Sequence, residues 1–221
     1  MVIVIASRKG GVGKSTILCS LAAHLSRAGD NVLLVDCDEL QGSSQWAAAR
    51  AENDKLPKVR AAAAKAEKAL IAKIADLSTK FDQVLVDTAG HDADGNRYAY
   101  GAADLLIFPF KPSQLDLSTA EWMKDLITRY TAIKPSLRTA IVLNECLVAS
   151  KRETREALAY FRHYDLEPVD ITLHCRVIYR DIMAEGLGIT ESKDRKAAHE
   201  FKQFSNLVLR DTLSHDKHTL S

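Results

Sequence analysis

A glycine- and lysine-rich stretch near the amino terminus, KGGVGKST at residues 9–16, has the composition of a loop that binds phosphate. Glycines let a backbone wrap closely around a phosphate chain, and N–H groups at the start of a helix attract its negative charge. Lysine adds a cation, and the hydroxyl residue after it can ligate Mg²⁺. The pattern predicts a nucleotide-phosphate site formed by Lys9, Gly10, Gly11, Val12, Gly13, Lys14, Ser15 and Thr16.

The loop departs from the common pattern G-x-x-x-x-G-K-[ST] at its first position. That pattern requires a glycine at position 8, where this chain has Arg8 followed by Lys9. Lys14 is expected to contact the β- and γ-phosphates, Ser15 to offer its hydroxyl to Mg²⁺, and Thr16 to reach another phosphate oxygen. The residue types alone leave two interpretations of Lys9: a second cation with its own role, or a solvated surface lysine.

Three aspartates follow apolar runs, where strands of a parallel sheet are expected to end. Asp36 and Asp38 close the run NVLLVDCD, and Asp87 closes QVLVD. An enzyme that hydrolyses a nucleotide needs carboxylates at strand ends to hold Mg²⁺ and to orient water. Asp87 is therefore the candidate magnesium carboxylate. Taken alone, the aspartates of either run could instead be strand-end caps or turn residues.

The wider pattern predicts an α/β fold with a doubly wound, mostly parallel sheet flanked by helices. Continuous apolar runs are typical of strands covered on both faces, and they lie at 2–6, 31–36, 83–87, 104–110 and 138–144. Helical segments alternate with them at 15–28, 64–79, 116–131, 151–163 and 194–212. Residues 59–77 are expected to begin as a short strand before the helix. Asn144 ends its run at the carboxyl edge, where such sheets bind ligands.

Length and composition predict one soluble, cytoplasmic domain, with boundaries at 1–212 and a frayed tail at 213–221. The formal net charge is +1, so any binding of nucleic acid has to come from a local basic patch. The four cysteines lack C-x-x-C spacing, which fits a reducing compartment. No apolar run approaches the ~18 residues needed to cross a bilayer.

The stretch at 9–16 matches KGGxGK[ST][ST], the deviant phosphate loop of the ParA/MinD group of ATPases. Further similarities are the D-x-D sequence at 36–38, QVLVDTAG at 83–90, P-S-x-x-D at 112–116, and the C-terminal stretches RETREALAYF and AEGLGITE. The chain resembles a small ParA-type partition ATPase over roughly residues 2–210. Because the first strand is expected at residue 2, no N-terminal helix-turn-helix domain is expected.

The resemblance implies ATP and ADP as ligands, Mg²⁺ as cofactor, and a homodimer that sandwiches two nucleotides. Lys9 would reach across this dimer to a phosphate on the partner subunit. Asp38 would position or activate the attacking water, and Asp36 would support the metal shell of Ser15 and Asp87. Asn144 often contacts adenine in this family, and a plain strand-end cap is the alternative.

One segment departs from the family. The D-x-D sequence is usually followed by Pro-Gln, whereas this chain has Glu39-Leu40-Gln41, with no proline and one extra residue. The geometry of this switch segment is therefore in question. Small and polar residues at 88–103 suit a loop that senses phosphate, and His91 and Asp92 are expected to be solvated there rather than to hold a metal.

ParA proteins bind DNA without sequence preference when dimerised by ATP, and a ParB-type centromere-binding partner stimulates hydrolysis. The resemblance therefore implies a nucleoid-associated protein with a basic patch in its C-terminal part. The first candidates are Arg176 and Arg180, whose four-residue spacing would put both on one side of a helical turn. The other candidates, each of which could be a solvated charged face, are Lys151, Arg152, Arg155, Lys193, Arg195 and Lys196.

Other members of the group suggest alternatives. The last helix has the apolar pattern of core packing, so binding to a membrane surface is not expected. An ATPase that positions a protein cargo, a metabolic ligase that activates a carboxylate, and a binding module without turnover remain open. The cysteines do not have the placement of iron–sulfur ligands.

Overall fold

The computed structural model describes residues 1–90, 95–112 and 117–210. The predicted tail at 213–221, the pair His91 and Asp92, and positions 113–116 of the P-S-x-x-D sequence lie outside the described residues.

A single parallel sheet runs through the described part of the chain. Its strands are β1 (Val2–Ile5), β2 (Val32–Asp36), β3 (Arg60–Ala63), β4 (Gln83–Asp87), β5 (Leu105–Phe110), β6 (Arg138–Cys146) and β7 (Pro168–His174). The strand order is β3-β2-β4-β1-β5-β6-β7, with every pairing parallel. The predicted sheet is therefore confirmed.

Helices connect the strands and cover both faces of the sheet. They are α1 (Lys14–Ala28), α2 (Gly42–Ala51), α3 (Ala69–Leu77), α4 (Asn96–Ala102), α5 (Leu117–Ile133), α6 (Lys151–His163), α7 (Ile178–Ala184) and α8 (Arg195–Val208), with a 3-10 turn at Ile189–Glu191. One apolar layer contains side chains of α1, α2, α7 and α8, and the other contains side chains of α3 to α6.

Alternation along each strand builds these two layers. In β1, Ile3 and Ile5 belong to the layer with α1 and α8, whereas Val2 and Val4 belong to the opposite layer. Successive side chains of a strand point to opposite faces, so a strand covered on both sides must be apolar throughout. This is why the runs at 2–6, 31–36, 83–87, 104–110 and 138–144 could be recognised as strands.

Four elements did not follow from the sequence pattern: α2, α4, α7 and β7. Residues 88–103 were expected to form a loop, yet α4 forms at 96–102. Its Ala99 and Tyr100 are buried in the apolar layer that contains side chains of α3 to α6. The Tyr100 ring meets Tyr130 of α5 edge to face, with the ring centroids 6.1 Å apart. Helices this short are stabilised by tertiary packing more than by intrinsic propensity.

The topology brings the predicted site residues to one edge of the sheet. The order reverses at β1, since the chain builds strands β2 to β4 on one side of it and β5 to β7 on the other. Ligands of doubly wound sheets bind at the carboxyl ends of the strands next to such a reversal. The loop 6–13 leaves β1 at this point. Within the described helices, none is long and apolar enough to cross a membrane.

Candidate nucleotide site

The phosphate loop joins β1 to α1 and ends in two left-handed residues, Gly11 with φ of 70° and Gly13 with φ of 87°. Residues that carry a Cβ rarely adopt such backbone angles, whereas glycine does so without strain. Gly13 is the N-cap of α1, and its carbonyl accepts the first helical hydrogen bond, from Ile17 N at 3.0 Å. The 15-residue helix therefore directs its free N–H groups into the loop, which is an anion-binding arrangement.

Gly13 is also the point where the loop touches β6. A Cβ at this position would lie 2.4 Å from Asn144 Nδ2, so only glycine fits. Asn144 is 5% exposed and donates Nδ2 to the Val12 carbonyl oxygen at 2.8 Å. Asn144 therefore ties the end of β6 to the phosphate loop. Its contact with adenine stays a prediction.

Lys14 is buried at the centre of the loop, with 6% of its surface exposed. Burial lowers the pKa of its ammonium group, and the nearby carboxylates of Asp87 and Asp38 oppose that shift. Its Nζ lies 3.7 Å from the position that a Cβ on Gly90 would occupy, so the lysine spans the loop towards the residues after β4. A buried cation in this setting is poised to receive an anion.

Asp87 ends β4 and is fully buried. Burial raises the pKa of its carboxyl to about 6, although the nearby hydroxyls of Ser15 and Ser43 favour the charged form. Neither carboxylate oxygen makes a hydrogen bond of good geometry with a described residue. Buried polar atoms left in this state need a partner, and a hard cation that prefers oxygen ligands meets that need. Asp87 and Ser15 therefore fit a magnesium site.

Asp36 has a different environment, although it is the direct neighbour of Asp87 in the β2–β4 pairing. Its Oδ1 accepts a hydrogen bond from Asp38 N at 3.1 Å, and its Oδ2 accepts one from Ser44 N at 2.8 Å. Both oxygens are thus used to hold the segment between β2 and α2. The structure places Asp36 beside the predicted metal shell as the anchor of the switch segment.

The switch segment, residues 37–41, accommodates its extra residue in a tight turn. Gln41 N donates to the Asp38 carbonyl at 3.0 Å, Leu40 N donates to Asp38 Oδ1 at 3.0 Å, and Gln41 adopts a left-handed φ of 51°. Leu40 is 81% exposed at the tip of this turn. Asp38 lines one cavity with Asp36 and Gly90, so the missing proline does not remove Asp38 from the site.

Lys9 is half-buried, and its carbonyl oxygen accepts a hydrogen bond from Ser7 Oγ at 2.8 Å. Lys9 and its exposed neighbour Arg8 both line a small apolar hollow between the start of the loop and α5. A role that needs a partner subunit is a property of the dimer, so the trans contact of Lys9 stays a prediction.

A second cavity of about 110 Å³ opens beside the loop, and we call it the lateral pocket. Its walls come from the loop, from the ends of β6 and β7 and from α7, and it is lined by Gly13, Thr16, Ile17, Asn144, Glu145, Cys175, Arg176, Tyr179 and Arg180. Arg176 Nε and the Tyr179 hydroxyl are buried without a hydrogen-bond partner in the described structure. Burial and the nearby Glu200 raise the pKa of Tyr179, which therefore stays a neutral hydroxyl.

Arg176, the first DNA candidate, is turned towards this pocket. Its Nη2 lies 2.6 Å from Glu200 Oε1 of α8, and Nη1 lies 4.0 Å from Asp194, the N-cap of the same helix. Its side chain is 18% exposed, whereas Arg180 is an exposed residue of the pocket rim. Arg176 is therefore held as part of a packed wall, and Arg180 is the more accessible member of the predicted pair.

The other basic candidates lie at the starts of two helices. Lys151, Arg152 and Arg155 are exposed at the start of α6, where Arg152 pairs with Glu156 at 2.7 Å. Three further exposed residues surround the N-cap of α8, namely Lys193, Arg195 and Lys196. Asp194 contacts Arg176, so the starts of α7 and α8 lie close together beside the lateral pocket, and Cys175 N donates to Cys146 O at 2.9 Å, which joins the end of β6 to the same region.

Three residues of the site region were not predicted from the sequence: Ser43 beside Asp87, Tyr179 in the lateral pocket, and Glu200 behind Arg176. Ser43 follows the switch segment by two residues, so a scan of polar residues after each strand would have found it. Tyr179 and Glu200 have no local signal, because their positions depend on how α7 and α8 pack against the sheet.

Comparison with known proteins agrees with this geometry. A family model described as ATPase MipZ matches residues 1–165. Maintenance of carboxysome distribution protein A from Halothiobacillus neapolitanus is 26% identical over 212 residues, covering 94% of this chain and 95% of that protein. Protein ParA from Rhizobium radiobacter is 28% identical over 153 residues, covering 62% of this chain and 67% of that protein.

A solved structure supports the same fold. The septum site-determining protein MinD of Pyrococcus horikoshii, complexed with Mg-ADP, superposes with a TM-score of 0.74 at 20% identity, covering 99% of both chains. At that identity the likeness concerns the fold, whereas the family model covers most of the sequence and includes the phosphate loop and all three site aspartates. The chain therefore belongs to the MipZ family of ATPases, within the wider ParA/MinD group.

Proposed function

We propose that this chain binds ATP with Mg²⁺ at the phosphate loop and hydrolyses it slowly. ATP binding converts the monomer to a dimer, and hydrolysis reverses this change. The observation that carries the proposal is the shared boundary of the loop and the lateral pocket. Gly13 and Thr16 belong to both, so phosphates in the loop and a base in the pocket can be parts of one nucleotide.

The lateral pocket favours adenine by its hydrogen-bonding pattern. Asn144 donates its N–H₂ group to the Val12 carbonyl, which leaves the amide oxygen as an acceptor. An acceptor facing position 6 of a purine accepts a hydrogen bond from the amino group of adenine and repels the carbonyl oxygen that guanine has there. Arg176 Nε and the Tyr179 hydroxyl, both lacking partners, can contact ring nitrogens or ribose.

Lys14 and the N–H groups at the start of α1 bind the phosphates, and Ser15 with Asp87 holds the metal. When bound, Mg²⁺ neutralises charge on the phosphates. Asp38, near Lys14, positions the attacking water and accepts its proton, while Asp36 keeps the switch segment folded through Asp38 N and Ser44 N. Lys9 supplies a second cation to the γ-phosphate of the partner subunit, which makes the charge stabilisation depend on dimerisation.

The dimer acts on DNA through a basic surface formed by the starts of α6, α7 and α8. Helix N-termini and exposed Lys and Arg residues bind phosphates without reading sequence. We place this surface on Lys151, Arg155, Arg180, Lys193, Arg195 and Lys196, and we assign Arg176 to the pocket wall. In this scheme, hydrolysis stimulated by a ParB-type partner returns monomers, and the cargo of partition is plasmid or chromosomal DNA in the nucleoid.

A second candidate function is the positioning of a protein assembly by the same cycle. It is favoured by the carboxysome distribution protein, because its similarity extends over 94% of this chain, whereas that of ParA covers 62%. The two functions differ in the partner that stimulates hydrolysis and not in the nucleotide site.

Nucleotide binding tests the first step. Fluorescent ADP and ATP analogues titrated with Mg²⁺ should bind the native chain, and Lys14→Ala should weaken binding by at least about 100-fold, since it removes a buried cation from the phosphates. Lys80→Ala is the matched control, because Lys80 is an exposed lysine that precedes β4, away from the phosphate loop, and pairs with Asp76. Equal affinity of the native chain and Lys14→Ala would contradict the proposal.

The oligomeric state tests the next step. Light scattering with ATP should give a dimer for the native chain and a nucleotide-bound monomer for Lys9→Ala. Asp38→Ala should accumulate as an ATP dimer because it keeps the binding groups and loses the group that orients water. A dimer that survives Lys9→Ala would remove the trans role of this lysine.

DNA binding by the ATP dimer tests the last step. Anisotropy of a random-sequence duplex should rise only with ATP, and Lys151→Glu with Arg155→Glu should abolish both the affinity and its salt dependence while leaving the dimer intact. Arg162→Glu is the control, since Arg162 lies at the other end of α6 and is paired with Glu167. An ATP dimer with no affinity for DNA would favour the second candidate function.

A further inference from the structure

Glu145 has an unusual backbone conformation for a residue inside a strand. It lies near the end of β6, directly after Asn144, and its φ of 54° is in the left-handed region. The pairing register of β6 with β7 shifts between Leu143 and Cys146, so Glu145 lies in a local irregularity of the strand. Bulges of this kind redirect a side chain and are common beside functional sites, where the strain of a left-handed residue is tolerated.

The redirected side chain reaches the boundary between the phosphate loop and the lateral pocket. Glu145 lines that pocket, and its Oε1 lies 4.0 Å from the position that a Cβ on Gly13 would occupy. Gly13 and Thr16 belong to both the loop and the pocket. A nucleotide with its phosphates in the loop and its base in the pocket would have its sugar at this boundary, beside the carboxylate.

An ion pair holds the other oxygen of this carboxylate. Lys111, which directly follows β5, has its Nζ 2.7 Å from Glu145 Oε2, and its side chain is 19% exposed. Oε1 is the oxygen on the side of Gly13. The lysine also offsets the negative charge of the carboxylate, which reduces its repulsion of phosphates in the neighbouring loop.

The chemistry of the pocket wall indicates what this carboxylate can bind. Among the nine described residues that line the pocket, Glu145 is the one carboxylate. An ionised carboxylate only accepts hydrogen bonds, whereas the guanidinium groups of Arg176 and Arg180 only donate them. A ribose carries two neighbouring hydroxyls that can donate, and carboxylates bind ribose hydroxyls in this way in dinucleotide-binding sheets.

We infer that Glu145 is a specificity-determining residue for the sugar of the nucleotide: its Oε1 accepts a hydrogen bond from a ribose hydroxyl, while Lys111 holds Oε2. The inference rests on the proposed binding of a nucleotide in the loop and the lateral pocket. A site built to hydrogen-bond a hydroxyl rejects an analogue that lacks it, because a polar group of the protein is then left unpaired. The site should therefore favour ribonucleotides over deoxyribonucleotides.

The experiment compares sugars by isothermal titration calorimetry, which needs no label on the ribose. ADP, 2′-deoxy-ADP and 3′-deoxy-ADP are titrated into the native chain with Mg²⁺. At least one of the two deoxynucleotides should bind about 10-fold more weakly than ADP, the value of a hydrogen bond to a charged group. Equal affinities for all three would overturn the inference alone, whereas failure to bind ADP would overturn the proposed function itself.

Glu145→Gly assigns the preference to this side chain. Glycine adopts a left-handed φ without strain, so the variant removes the carboxylate and keeps the backbone. Its affinity for ADP should fall to that of the weaker deoxynucleotide, and the ratio between the two should approach 1. A ratio that stays at the native value would overturn the inference.

Asp165→Gly is the matched control. Asp165 has a φ of 56° and a carboxylate paired with Lys124 at 2.9 Å, but it lies in the turn between α6 and β7, outside the residues that line the pocket. This variant should keep the native ratio. An equal loss of the ratio in Asp165→Gly and Glu145→Gly would overturn the inference, since the effect would then come from the change to glycine.

Tyr179→Phe tests the other group in the pocket that could receive the sugar. The Tyr179 hydroxyl is buried without a hydrogen-bond partner in the described structure, and its removal should change the affinities for the three nucleotides by the same factor. Loss of the preference for ribose in Tyr179→Phe, with the preference retained in Glu145→Gly, would assign the hydroxyls to Tyr179 and overturn the inference.

Discussion

The two halves of the candidate nucleotide site are built differently. The phosphate half, with Lys14, Asp36 and Asp87, lies at the ends of central strands and is almost fully buried. The lateral pocket lies at the end of β6 and of the edge strand β7, and its Cys175 and Arg180 are exposed. Asp36 and Asp87 end strands and Lys14 begins the helix after the phosphate loop, so all three lie next to a central strand in the sequence, whereas the lateral pocket needs α7 and α8 to be packed first.

A buried ion pair connects the two halves. Arg50 of α2, which follows the switch segment, is 0% exposed and donates to both carboxylate oxygens of Glu191 at 2.8 and 2.9 Å. Glu191 also accepts from Gly188 N, and Arg50 donates to the Gly186 carbonyl. The segment 186–191 follows α7, so the pair links the phosphate side to the wall of the lateral pocket.

The largest effect is expected from breaking this link. Arg50→Met leaves the carboxylate of Glu191 buried without its main partner, and this should lower the free energy of unfolding by about 3–5 kcal/mol. Urea denaturation measures the loss. The exposed pair Lys80–Asp76, at 2.7 Å, is the control, and Lys80→Met should cost less than about 1 kcal/mol. Similar losses in both variants would mean that burial does not decide the strength of these pairs.

A smaller effect is expected at the contact between the halves. Gly13→Ala combines a left-handed φ of 87° with a Cβ only 2.4 Å from Asn144 Nδ2, so it should reduce ADP affinity by more than about 10-fold and displace Asn144. Gly11 also has a left-handed φ, of 70°, but there is open space where its Cβ would lie. Gly11→Ala should therefore cost only the backbone strain, about 1–2 kcal/mol. Equal effects of the two changes would argue against the Gly13–Asn144 contact.

The adenine contact is tested by Asn144→Ala. Loss of the hydrogen bond to the Val12 carbonyl should weaken ATP and GTP alike, whereas loss of the predicted acceptor for an amino group should reduce the ratio of ATP affinity to GTP affinity by about 10-fold, the value of one hydrogen bond. Competition of ATP and GTP against a fluorescent nucleotide measures the preference. An unchanged ratio would reduce Asn144 to a structural tie between β6 and the loop.

The smallest expected effect is the pH dependence of the Arg50–Glu191 link. Burial would raise the pKa of Glu191, but hydrogen bonds from Arg50 and Gly188 N outweigh it and hold the pKa below the ordinary value of 4.5. A lowered folded-state pKa contributes stability above about pH 4.5, and this contribution is lost as the pH falls below that value. The free energy of unfolding should therefore change less between pH 7 and pH 3 in Glu191→Gln than in the native chain. An equal change in both proteins would contradict the assignment of this pH dependence to Glu191.

The phosphate half could be predicted because its signals are local. The loop, the D-x-D sequence and the aspartate after QVLVD each combine a buried apolar strand with the polar residues that follow it, and parallel strands place such residues at one edge. The central strands were found for the same reason, since burial on both faces leaves a continuous apolar run. The extra residue after Asp38 was also visible, but only the structure shows that a turn closed by Gln41 N absorbs it.

The lateral half depends on tertiary structure. Arg176 and Arg180 are four residues apart in a basic stretch, which is typical of an exposed surface, yet Glu200 and Asp194 of a different helix hold Arg176 in a pocket wall. Likewise, nothing local in the sequence pairs Arg50 with Glu191, 141 residues away. The sequence by itself determined the sheet and the phosphate loop, because burial and backbone conformation restrict the residue types at those positions. Only the tertiary structure decided the pocket wall and the partners of its charges, because these arise where distant helices pack together.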